Sequence, residues 1–179
     1  MARATSCVKG VLADFLTPIL PKIGGELTIE VLINLHRLVS GNVASVASNL
    51  VGGRNGHLTL TITAEEYKTQ TVIVFVPSHN PGDYPQSMGN DQEQALRTEK
   101  FQQNQALFLK YSAVDGAFIN QIVIAVEPVF LSSLVDQLAG FGQVSALTML
   151  QHLLSRYGAI DKIYLEENAV NMMGPYSTV

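Results

Sequence analysis

Between Ala117 and Tyr157 three sets of apolar residues follow one another at helical spacing, and no other pattern in the chain constrains its fold as strongly. They are Ile119, Ile122, Val123, Val126; then Leu131, Leu134, Val135, Leu138; then Ala146, Leu150, Leu153, Tyr157. Residues spaced i, i+3, i+4, i+7 share one face of a helix, so each stripe can be buried only against a neighbour. Pro128, the glycines at 140 and 142, and Gly158 supply the expected stops between and after them. The pattern predicts three packed helices, and a last helix is expected over 161–173.

The 179 residues suffice for one sizeable core or two small ones, and 47% apolar content with 15% charge places the chain among globular proteins. The net charge of −4 is uneven: residues 1–90 balance six basic against six acidic groups, and residues 91–179 carry five against nine. Neither half has the positive field that drives nucleic-acid affinity, so RNA binding by the chain alone is expected to be weak. A single cysteine, Cys7, excludes an internal disulfide and a multi-cysteine zinc site, and fits a reducing, cytoplasmic setting. Asp14 and Pro18 interrupt the N-terminal apolar run, and no segment approaches ~20 uninterrupted apolar residues, so no membrane role is expected.

Four regions follow: an arm over 1–26, a small mixed segment over 27–76, a Pro/Gly-rich linker over 77–90, and a helical domain over 91–179. Thr28 is placed to cap a helix carrying Ile29, Leu32, Ile33 and Leu35, which Ser40-Gly41 should end. Asn42 would cap a second helix running to Gly52-Gly53. Leu58, Leu60 and Ile62 alternate with threonines as in a half-buried strand, and Val72 to Val76 reads either as its buried partner strand or as an aggregation-prone segment. Between them Thr63 and Glu66 form a capping box for a short helix through Gln70. Asp91 would cap a long polar helix with Phe101, Phe108 and Tyr111 inward and Gln102, Gln103 and Gln105 solvated. The fold class is therefore mainly α: a small helical bundle in the C-terminal half, with a short two-stranded β element and irregular loops in the N-terminal half.

No grouping carries chemistry, so no catalytic, cofactor-binding or metal-binding residue is assigned and no cofactor is expected. His36, His57, His79 and His152 fall in four different elements without ligand spacing, and His152 reads as an exposed helix histidine. Val114-Asp115-Gly116-Ala117 lacks the Ser/Thr of an aspartic-protease signature and reads better as a capped interhelical turn. Gly52-Gly53-Arg54-Asn55-Gly56 could cradle a phosphate, but it lacks a Gly-Lys-Ser/Thr ending and reads as a flexible turn. Glu166-Glu167 reads as a solvated face and Met172-Met173 as packing.

The third stripe, Ser145 to Tyr157, resembles the Thr-Ala-x-x-x-Trp-x-x-Leu-x-x-x-Tyr pattern in Gag proteins of copia-type LTR retrotransposons. Ser145 and Ala146 match its start, Leu153 and Tyr157 its end, and Leu150 stands where the family has Trp. The segment from Ala117 to Val126 is similar to the preceding family helix, and residues 56–176, with Gly174-Pro175-Tyr176, resemble Gag-like reading frames of algae and related protists. The resemblance implies a truncated, capsid-like, non-enzymatic protein that self-associates as a homo-oligomer, with weak association to element RNA at most and no small-molecule substrate. Two alternatives stay open. One is a small intracellular enzyme or ligand-binding domain with a site in the 54–57 and 77–90 loops, built on His57, His79, Asp83 and Tyr84; the other is a decayed element product without selected function.

Overall fold

A computed structural model describes residues 2–48, 55, 57–75, 78–84 and 90–158, and those residues are mainly helical, with no strand among them. In chain order the helices are α1 (Ala2–Ala13), α2 (Ile29–Ser45), α3 (Ala64–Thr71), α4 (Asp91–Ala125), α5 (Pro128–Leu131) and α6, described over 146–158. Short 3-10 turns lie at Leu58–Leu60 and Ser132–Leu134. The expected 161–173 helix, the 49–54 end of the expected second helix, Glu166-Glu167, Met172-Met173 and Gly174-Pro175-Tyr176 lie outside the described residues.

Thr28 caps α2, its hydroxyl accepting from the Val31 N–H, and Leu32, Leu35, Val39 and Val43 form the buried face. Contrary to expectation, α2 does not stop at Ser40-Gly41, and Asn42 starts no second helix. A helix-interior glycine costs only ~1 kcal/mol, and burying Val43 and Asn42 in the next turn offsets it. Ser45 closes the helix, its hydroxyl reaching the carbonyls of Asn42 and Asp14.

The two-stranded β element is not seen among the described residues. Residues 58–62 form a 3-10 turn, closed by Leu60 N–H to the His57 carbonyl at 3.0 Å and Thr61 N–H to the Leu58 carbonyl at 2.9 Å. The Thr61 hydroxyl also donates back to the Leu58 carbonyl at 3.0 Å, the local competition that draws threonine out of ladders. Thr59 and Thr61 are buried along with Leu60 and Ile62, so the alternation of faces is not realised. The expected partner strand begins instead as an exposed bend after α3, with Val72 in the left-handed region at φ 61°. The Thr63–Glu66 capping box of α3 is present in both directions.

Asn90, one residue before the expected Asp91, caps α4 by accepting from the Glu93 N–H at 2.9 Å. Its 35 residues span ~52 Å at the helical rise. No turn interrupts it at Asp115-Gly116. A methyl on Gly116 would lie 3.7 Å from the Val8 side chain, so the glycine sits where α1 crosses closely. Buried residues of α4 begin only at Ala113 and continue through Val114, Ala117, Phe118, Gln121, Ile122 and Ala125. Its length and a mean hydropathy of 1.2 over 18 residues would suffice to cross a membrane, but a third of that window is buried inside this fold.

The first and third stripes pack as expected: Ile122, Val126, Ala146, Leu150 and Leu153 are buried, and Tyr157 packs against the core with its ring edge-on to Phe130 at 5.1 Å. The second does not form one continuous helix: Leu131 ends α5 in the core and Leu134 ends a 3-10 turn packed against it. After Leu134 the chain turns at 136–140, and Leu138 is 100% exposed. One core runs from Val11 to Leu153, with Phe15 stacked on Phe118 at 4.8 Å and the Ile23 N–H bonded to the Ala125 carbonyl at 2.7 Å.

Candidate functional site

Asn42 and Gln121, 79 residues apart, meet in the core, and neither was singled out together with the other in the sequence. Asn42 Nδ2 donates to Gln121 Oε1 at 3.1 Å and to the Thr17 carbonyl at 2.9 Å, and Asn42 Oδ1 accepts from the Thr17 N–H at 2.7 Å. Gln121 Nε2 donates to the carbonyls of Thr17 and Pro18 at 3.0 and 2.7 Å. Both amides are buried with donors and acceptors engaged, the condition under which a buried polar network specifies a structure. The network pins the 15–20 loop, leaving Leu16 and Ile19 in solvent. The signal for it in the sequence was only Gln121 interrupting an apolar run.

A groove of about 670 Å³ lies between α4 and the turn leading into α6. Phe108, Tyr111 and Ile119 of α4 face Phe141 and Val144 across it, with Asp115 between them. Asp115 is the residue read from the sequence as a turn cap. It is a cap, but for a distant helix: its Oδ1 accepts from the Ala146 N–H at 2.9 Å at the start of α6. Ser145 caps the same helix through its hydroxyl, which accepts from the Thr148 N–H at 3.2 Å. Burial pushes the Asp115 carboxyl above the usual carboxylate range, opposed by the Ala146 N–H. Burial likewise raises the Tyr111 phenol, whose hydroxyl lies 3.5 Å from that of Thr59.

The histidines do not converge. His36 Nε2 is 2.9 Å from the Thr61 carbonyl, joining α2 to the 58–62 turn. His152 is half-buried instead of exposed, with Nε2 at 3.2 Å from both Ser133 Oγ and the Phe130 carbonyl, so it ties α6 to the 130–133 segment. His57 is 1% exposed and stacks on Tyr111 at 6.2 Å, and neither ring nitrogen makes a well-formed hydrogen bond among the described residues. Burial, then the charge of Lys110, lowers its pKa to about 4 against a weak opposing pull from the Ala47 backbone. His79, Asp83 and Tyr84 are exposed, and Tyr84 packs edge-on to Phe101 while its hydroxyl meets that of Thr98 at 2.8 Å. None of the four residues of the alternative loop site lines that groove or a smaller one formed by residues 22–24 and 123–128. Gly52, Gly53, Arg54 and Gly56 lie outside the described residues. Among those described, no group of three or more His, Cys, Asp or Glu could hold a metal ion.

Compared with protein families, with curated proteins and with solved structures, the chain gives no match.

Proposed function

We propose that this chain is a Gag-like structural protein acting in the cytoplasm by helix-mediated self-association in a capsid-type particle, without catalysis. The observation that carries the reading is the turn at 136–140. The Asp136 carboxylate accepts from the Leu138 and Ala139 N–H groups, both at 2.8 Å, and the Asp136 and Gly140 backbones exchange two bonds of 2.9 Å. These bonds pull the exposed Asp136 carboxyl below its usual range and set the turn in one shape. Its tip is Leu138, wholly in water, with Val129 and Val135 exposed nearby in the chain. Fully covering one leucine contributes roughly 1.5–3 kcal/mol, and a tip already ordered loses little entropy when a partner covers it.

The partner in this reading is a second copy of the chain. Element RNA would contribute weakly, because the net charge is −4. Light scattering over a concentration series tests the association: growth of the weight-average mass is expected, and a strict monomer at high concentration sinks it. The Gag-like part is tested separately by the genomic neighbourhood, where a protease, integrase and reverse-transcriptase frame is expected downstream.

A further inference from the structure

The groove between α4 and the 141–145 turn points to a site for a small ligand, independent of self-association. Its volume of about 670 Å³ falls in the range of small-molecule sites, ~300–1,000 Å³. Its walls are aromatic and aliphatic, from Phe108, Tyr111, Ile119 and Phe141, and Asp115 is the one charged lining residue among the described residues. Capping α6 occupies only Oδ1 of that carboxylate. Oδ2 has no hydrogen-bond partner and no cation pairs with the group among the described residues. A partly desolvated carboxylate without a counter-ion among the described residues gains from a cation that can reach it, and aromatic faces add to that attraction. The positive end of α6 offsets about half a charge, which leaves the groove negative.

We propose that this groove binds a primary organic ammonium ion carrying an aromatic ring, with Asp115 as counter-ion and the Phe108, Tyr111 and Phe141 rings enclosing the ligand's body. Ser112 lines the same groove, and its hydroxyl is the kind of group that can accept a further ammonium proton.

The test is ligand-observed NMR titration of the full chain at pH 7 with benzylammonium, n-butylammonium and benzyl alcohol. Benzylammonium is expected to saturate at a concentration about five-fold or more below benzyl alcohol and below n-butylammonium. In Asp115→Asn the amide oxygen can still accept from Ala146, so the thermal midpoint should hold while the preference over benzyl alcohol disappears. Should that variant misfold, Phe141→Leu is expected to remove the preference over n-butylammonium instead. Equal saturation by benzylammonium and benzyl alcohol, or a folded Asp115→Asn that keeps the preference, overturns the counter-ion role. Equal saturation by the two amines overturns the aromatic part.

Discussion

His57 and Val72 show how single residues are held against their own preferences. An imidazole with unmade hydrogen bonds in the core is tolerated only in its neutral form, because protonation would leave a buried cation beside Lys110. Its ordinary value of 6.5 applies in the unfolded chain and about 4 in the folded one, so the unfolded state binds more protons between those pH values. Folding stability is therefore full above pH 6.5 and falls as pH drops toward 4, by on the order of 2–3 kcal/mol from this group. Chemical denaturation at pH 7, 5.5 and 4 should show that loss, and His57→Phe should flatten it. Val72 stores strain of another kind: a β-branched residue at φ 61° pays the left-handed penalty, and its side chain is exposed. Val72→Gly should raise the unfolding free energy by about 1 kcal/mol in urea titration. Unchanged or lower stability would show that the αL backbone is not strained there.

At the scale of elements, signals within a few residues were legible and signals from across the molecule were not. Thr28 and the Thr63–Glu66 box act on the first turn of their own helices, and each stands where the sequence put it; Pro128, expected as a stop, lies just beyond the end of α4 and opens α5. The stops read at Ser40-Gly41 and Asp115-Gly116 failed because packing outweighed glycine's local cost: Asn42, Val43 and Ala117 beyond them are all in the core. Asp115 kept the capping role expected of it but spends it on Ala146, 31 residues away. Gly41 therefore sits inside α2 with nothing within 4 Å of where a methyl would lie. Gly41→Ala is expected to raise stability by ~0.5–1 kcal/mol, read as a higher thermal midpoint. A lower midpoint would mean that the glycine is needed for packing or for a break in the helix. The second stripe was misread for the converse reason. Its spacing is helical, yet the Asp136 side chain captures two backbone N–H groups and closes a turn before the stripe can form.

The whole molecule is one core with apolar tips left outside it. The Asn42–Gln121 network holds Leu16 and Ile19 in solvent, and the 136–140 turn does the same for Leu138, while the first 22 residues of α4 contribute no fully buried side chain and only Tyr111 packs against the core. In the self-association reading, Leu138→Ser should lower the weight-average mass at a given concentration without moving the thermal midpoint, since that side chain touches none of the core. An unchanged mass would remove Leu138 from the interface. What the sequence determined by itself was the helical class, the capped starts, and the burial of the first and third stripes, because periodicity and capping are local and each acts through neighbouring backbone. Only the tertiary structure decided where helices run on, which polar residues meet, and that residues 11–46 share a core with 113–153. Those outcomes rest on contacts between residues tens of positions apart, whose free energy exceeds that of a glycine or a threonine pattern and which no local spacing encodes.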